Sequence, residues 1–287
     1  MTVEYFDAEP WLEVADSLGE SPRFDAGTGM VHWVDIDAGV RRTAAIDGAI
    51  SSAEDFGAPL GAHELGSRTD AVAVGGHWWE VDRVTGERRL VASLDEPGMR
   101  FNDSAIDSQG RLWSATMRED EVMEGEPLGT LRMLADGALD TRLDGLTAGN
   151  GIAWSPNDRF MYLVNSGPDQ ILRMEFDADS GEIGAPDSWL EPRDGHVDGI
   201  ASDLAGGLWV AMWGAGELHR YDRAGKHVAV VRVPTSQVTA ACFAGTHLQT
   251  LVITTAARNT APAHSAGTVF RVAVPIPCRP ATRWTGN

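Results

Sequence analysis

Four polar residues of ligand type recur along this chain in similar settings: Glu20 in LGESPRF, Asn102 in RFNDSAI, Asn150 in AGNGIAW and Asp198 in HVDGIAS. Asn102 to Asn150 and Asn150 to Asp198 are both intervals of 48 residues. Each polar residue is followed by an apolar, strand-like run, and glycine follows directly at 151 and 199, where it permits close backbone approach. Two carboxylates and two amides are hard oxygen donors. Clustered carboxylates repel one another unless a cation lies between them or one takes up a proton. An all-oxygen set suits calcium, magnesium or manganese and gives no reason to prefer zinc, which favours His or Cys. Arg100, two residues before Asn102, adds a guanidinium able to bind hydroxyls or developing negative charge.

What brings residues so far apart in sequence together is a repeat. GMVHWVDI (29–36), GGHWWEVD (75–82), GRLWSATM (110–117), DRFMYLVN (158–165), GGLWVAMW (206–213) and HLQTLVIT (247–254) each pair a turn or polar start with an apolar or aromatic strand. With Trp33, Trp78, Trp113, Tyr162, Trp209 and Leu251 as markers, the steps are 45, 35, 49, 47 and 42 residues. That is the spacing of propeller blades, each a four-stranded sheet. Asn102, Asn150 and Asp198 lie 11, 12 and 11 residues before their markers and Glu20 lies 13 before its own. In a radial fold such equivalent positions converge at one height on the axis. LGTLRMLADGALDTRL (128–143), ILRMEFDADSGEI (171–183) and ELHRYDRAGKHVAVVRV (217–233) read as hairpins around Asp-Gly, Ser-Gly and Ala-Gly turns. The expectation is an all-β, six-bladed β-propeller occupying residues 1–287 as one domain. A sandwich has no reason to repeat at this period, and the long amphipathic helices of a doubly wound fold are absent.

Composition narrows the partners. The net charge of −19 repels nucleic acid and anionic membrane, and no basic cluster offsets it. Cys242 and Cys278 are too few for a disulfide framework and read as buried or idle thiols. MTVEYFDAEPW has no basic region leading into an apolar stretch, and no apolar run reaches membrane-spanning length, so a cytoplasmic protein is expected, with a monomer as the default because closed blades leave few free edges. The eight histidines show no HExxH spacing, and His196 reads as a surface or supporting residue. No GxSxG elbow, CxxC pair, phosphate-binding GxxxxGK[ST] loop or GxGxxG after a strand is present.

Taken together, LGESPRFDAGTGMVHWVDI, RFNDSAIDSQGRLWSATM, GNGIAWSPNDRFMYLVNS and VDGIASDLAGGLWVAMW resemble the gluconolactonase and senescence-marker-protein (regucalcin) family, in four separate motifs in the right order. The resemblance implies a six-bladed propeller with one divalent cation (calcium, zinc, manganese, magnesium or iron) at the axial channel, and hydrolysis of sugar lactones. It places the metal ligands on Glu20, Asn150 and Asp198 and the substrate contacts on Arg100 and Asn102. A further substrate contact falls on Asp120, with Glu119 adjacent. Ser21 stands where glycine is usual and Ala153 where relatives often carry Asp. The implied chemistry polarises the lactone carbonyl on the cation, with Asp198 as general base toward water. Two other readings stay open at this stage. One is a calcium-binding or scaffold propeller without hydrolytic function. The other is a propeller hydrolase acting on other esters or phosphotriesters.

Overall fold

The computed structural model describes residues 2–121, 123, 126–135, 137–258 and 265–286, with residues 50 and 51 described by backbone alone. Its regular structure is entirely β-strand, arranged as six sheets around an axis, a six-bladed β-propeller. The innermost strands are Gly19–Asp25, Leu60–Glu64, Met99–Ile106, Gly149–Trp154, His196–Ser202 and Val238–Ala244. Each packs on the inner strands of the blades to either side, so the six form a closed ring. The outermost strand of blade six is supplied by Glu9–Leu12, antiparallel to Val269–Ala273, so the N-terminal segment closes the ring. Ahead of it, Glu4–Asp7 adds a fifth, parallel strand to the outer edge of blade five. Among the described residues no helix is long and apolar enough to cross a membrane.

Apolar residues on the strands' buried faces fill the seams between blades. Trp113 of blade three meets Trp154 and Phe176 of blade four with ring centroids 6.3 and 5.9 Å apart. Trp78 of blade two meets Phe101 of blade three at 5.4 Å. Full burial of one such side chain contributes about 1.5–3 kcal/mol, so the aromatic markers of the repeat are the residues that cement neighbouring blades. Five markers lie on the second strand of their blade. Trp78 does not. It lies on the third strand of blade two, His77–Asp82, because the second strand, Thr69–Val74, carries no aromatic residue at all. That displacement accounts for the short step of 35 residues. The hairpins read at 128–143 and 217–233 form as strand pairs, with Gly137 and Gly225 at φ 77° and 79°. The third is different: its Ser-Gly turn closes only the single bridge Phe176–Ile183, and the outer strand proper comes later, at Asp187–Leu190.

A second repeated device supports the markers. In DSQGRLW and DLAGGLW an aspartate six residues ahead of the tryptophan is buried beneath the turn. The Asp107 carboxylate accepts from the backbone N–H of Gln109 (2.9 Å) and Arg111 (3.1 Å), from Arg111 Nε (2.6 Å) and from Trp113 Nε1 (2.9 Å). Asp203 does the same for Ala205, Gly207, Trp209 and Arg220. Asp107→Ala strands a buried indole N–H and takes from Arg111 its carboxylate partner, leaving that guanidinium only the Ala178 and Asp179 carbonyls, and is expected to cost about 3 kcal/mol. Denaturant titration measures this; a shift equivalent to less than about 1 kcal/mol would show the carboxylate to be dispensable.

Candidate functional site

The inner strands share one irregularity. In every blade the pairing of the inner strand with the second strand slips at the same place: between Glu20 and Arg23, Leu60 and Ala62, Phe101 and Asp103, Gly149 and Ile152, Val197 and Ile200, and Val238 and Ala240. A bulge of this kind frees a residue from the ladder and re-aims its side chain. Asn102, Asn150 and Asp198 lie within these bulges, Glu20 is the last paired residue before its own, and Gly61 and Thr239 take the remaining two positions. Two glycines make the ring this tight. A Cβ on Gly151 would lie 2.5 Å from Ile200 N, and one on Gly199 would lie 2.6 Å from Ala240 Cβ. Ser21, in the first bulge, holds φ at 52°, the left-handed region that favours glycine, and among the described residues its buried hydroxyl has no hydrogen-bond partner.

Glu20, Asn150 and Asp198 come together. Asn150 Nδ2 donates to Asp198 Oδ1 at 2.5 Å, and Asn150 is held in turn by Ser166 Oγ at 3.2 Å. Glu20 Oε2 accepts the Ser21 backbone N–H at 2.8 Å. Burial, together with the nearby Asp103 carboxylate, pushes the Asp198 pKa up to about 8, while the Asn150 amide pulls the other way. Burial raises Glu20 well above its ordinary value, reinforced by Asp198 and Asp103.

Asp103, next to the bulged Asn102, is buried within electrostatic reach of both Glu20 and Asp198. Its own pKa is raised to about 6 by burial, restrained by Arg23 at 3.6 Å and by the Ser104 N–H at 2.7 Å. Arg23 is a cation that no sequence motif singles out. From blade one it reaches Glu64 of blade two (2.8 Å) and the Ser104 carbonyl of blade three (2.7 Å), and Ser104 Oγ donates to Glu64 as well. One arginine is thus shared between Glu64 and Asp103. Among the described residues neither Glu20 nor Asp198 has an ion-pair partner, and Arg23 only partly offsets the burial of Glu20. The all-oxygen donor set and this excess of buried negative charge both fit a divalent cation. Among the described residues no group of three or more His, Cys, Asp or Glu is spaced to hold a metal; the candidate set supplies two carboxylates and an amide.

Arg100 and Asn102 form the adjoining wall. Arg100 is 3 % exposed, and its Nη1 donates to Asn102 Oδ1 at 2.7 Å, while Asn102 Nδ2 donates to the Gly149 carbonyl of blade four at 3.0 Å. Asp120 lies on the same cleft as Arg100 but is ion-paired to Arg118 at 2.6 Å, with a side chain more than half exposed. The carboxylate that reaches Arg100 belongs to the next residue, Glu121, at 2.9 Å. Burial pushes Glu121 up, but Arg258 and Arg100 more than offset it and hold it below the ordinary glutamate value. In the segment 118–127 around these residues, Val122, Glu124 and Gly125 lie outside the described residues. His196 is on the surface and paired with Asp169 at 2.9 Å.

On the other side of the Arg23–Glu64 pair, a cavity of about 500 Å³ opens toward the opposite face, lined mainly by apolar side chains and by the C-terminal segment 278–283. Cys242 and Cys278 both line it as free thiols, and burial pushes each up to about 12, so neither is poised as a nucleophile.

The chain is similar to known proteins along most of its length. The family described as SMP-30/Gluconolactonase/LRE-like region matches residues 18–257. A pentonolactonase, XacC, of Haloferax volcanii is 28% identical over 95% of this chain and 96% of its own. A 6-deoxy-6-sulfogluconolactonase of Pseudomonas putida is 28% identical over 91% of this chain and 92% of its own. The crystal structure of a calcium-binding protein, regucalcin, from Agrobacterium tumefaciens superimposes with a TM-score of 0.92 at 25% identity, covering 99% of this chain and 100% of that one.

Proposed function

From the premise that this chain belongs to the SMP-30/gluconolactonase/LRE-like family, whose named relatives include sugar lactonases, we propose that it opens the ring of a sugar (aldono-) lactone to the aldonic acid. In this reading residues 1–287 act as one propeller domain, a cytoplasmic monomer or weak oligomer on a small-molecule substrate. The observation that carries the proposal is the convergence of Glu20, Asn150 and Asp198 beside the Arg100–Asn102–Glu121 wall. Glu20, Asn150 and Asp198 would hold a divalent cation, which when bound would supply Lewis-acid polarisation of a carbonyl oxygen.

The chain's own groups do the rest. Asp198 takes the proton of the attacking water as its oxygen bonds to the lactone carbonyl carbon. Asn150, donating to Asp198 Oδ1, orients that carboxylate. When the tetrahedral centre collapses, the ring C–O bond breaks, the former ring oxygen takes the proton back from Asp198, and the carboxylic acid so formed gives its remaining proton to solvent, leaving carboxylate and hydroxyl. Arg100, Asn102 and Glu121 orient the sugar hydroxyls, and Asp120 serves at the outer rim of the same cleft. Asn102 is fixed on both sides, by Arg100 and by the Gly149 carbonyl, so its amide is pre-oriented.

Proton release measured across aldonolactones, simple aliphatic lactones and phosphotriesters, with and without added divalent cations, tests this directly. The expected result is turnover of an aldonolactone well above its spontaneous opening and above the other classes. Cation binding without hydrolysis of any of them would overturn the proposal in favour of a calcium-binding propeller, and preference for phosphotriesters would replace the substrate.

A further inference from the structure

Arg258, three residues past the second strand of blade six, makes contacts that no feature of the repeat anticipates. Its Nε donates to Asp37 Oδ2 at 2.7 Å and Nη2 pairs with Asp37 Oδ1, while Nη1 pairs with Glu121 Oε2. Asp37 is fixed from behind by Ser17 Oγ at 2.6 Å. Asp37, Glu121 and Arg258 all follow the second strands of their blades, one, three and six. They therefore stand on the face where the inner strands begin and where the bulged residues lie. Blades three and six are opposite in a ring of six, so the Arg258–Glu121 pair reaches across the mouth of the channel. Glu121 also holds φ at 55°. A residue with a β-carbon in that region costs on the order of 1–2 kcal/mol and is kept there only by contacts that over-determine it. Here the contacts are two guanidinium groups, Arg100 on Oε1 and Arg258 on Oε2.

We propose that Arg258 is a positioning residue: anchored on Asp37, it holds the Glu121 carboxylate against Arg100 from the opposite side of the mouth, and so fixes the pair that orients the substrate. The inference rests on the lactonase reading above. Among the described residues the Arg258 guanidinium pairs with Asp37 and Glu121 and not with Glu20, Asn150 or Asp198, so the reacting groups are left in place when it is removed and orientation suffers instead.

The test is kinetic and structural together. Arg258→Ala is expected to raise KM for the preferred aldonolactone roughly tenfold, the scale of one lost charge-assisted hydrogen bond, with kcat held within about threefold. Arg258→Lys should recover part of the loss. Combined with Glu121→Gln, the Arg258→Ala change should add almost nothing, because both act through one contact. Amide exchange of residues 118–121, followed without substrate, should quicken in Arg258→Ala and return toward wild type in Arg258→Lys. An unchanged KM, or fully additive effects of the two substitutions, would overturn the positioning role. If the wild-type chain opens no lactone, the functional reading fails by itself, and the exchange measurement still decides whether Arg258 restrains Glu121: unchanged exchange sinks the inference.

Discussion

Asp198→Asn is expected to lower kcat for lactone opening by at least about a thousandfold while raising the melting temperature of the cation-free protein. Both halves follow from one geometry. The carboxylate is buried, its pKa is raised to about 8, and it faces Glu20 and Asp103. Removing a general base alone costs about 10²–10⁴ in rate, and the amide that replaces it also weakens the hold on a cation. An asparagine side chain is nearly the same shape as aspartate, and its oxygen can still accept from Asn150, so no cavity opens and no donor is stranded. What disappears is a buried carboxyl that, with its pKa near 8, must take up a proton on folding at neutral pH or stand charged against the repulsion of Asp103. Relief of that repulsion is expected to stabilise the cation-free fold by about 1–2 kcal/mol, the trade between activity and stability common to functional sites. Steady-state kinetics and a thermal melt on the same preparation check both parts. An Asp198→Asn variant with wild-type turnover would remove Asp198 from the chemistry; one that melts well below wild type would show that the carboxylate is a structural support.

The residues legible in the sequence were those whose signal repeats. The blade period is visible because each second strand but one carries a large apolar marker, and Asn102, Asn150 and Asp198 are visible because bulges at equal height impose an equal interval. The missing members of the ring explain themselves: Gly61 and Thr239 hold the same bulge position in blades two and six but are not ligand types, so no pattern of polar residues could count six. The bulge itself is a property of strand pairing and leaves no local signature. Asp103 is hard to read for that reason: as the neighbour of a bulged residue it carries no repeat signal of its own, yet the fold buries it where its charge acts on both Glu20 and Asp198. Arg23 and Glu64 were missed because their ion pair joins residues 41 apart on different blades, in segments with no shared motif. Glu121, rather than Asp120, pairs with Arg100 where the chain leaves the strand Leu112–Arg118 in a turn, with the Glu121 N–H donating to the Arg118 carbonyl and Glu121 at a left-handed φ, a geometry that no sequence motif announces.

The same buried charge that makes Asp198 expensive should make a cation visible in the stability of the fold. Adding calcium, magnesium, manganese or zinc is expected to raise the melting temperature of the wild-type chain, because an ion bound only by the folded state contributes about 2.7 kcal/mol at a hundred times its dissociation constant. Glu20→Gln should remove most of that shift. Glu20 lies at one side of the Asn150–Asp198 pair, and its raised pKa is driven by burial and by the neighbouring Asp198 and Asp103 carboxylates, so it gains more than a surface glutamate from an ion placed among them. In the absence of cation Glu20→Gln should melt no lower than wild type, for the reason argued for Asp198. The pattern wanted is therefore a crossing: the variant equal or better without cation, the wild type better with it. Exhaustive chelation should end lactone opening in the wild type, and readdition should restore it with the cation that gives the largest thermal shift. Turnover that survives chelation, or melting temperatures indifferent to every ion tried, would leave Glu20, Asn150 and Asp198 as a hydrogen-bonded cluster with protons shared among them, and would move the search for the electrophile to Arg100, the buried guanidinium on the adjoining wall.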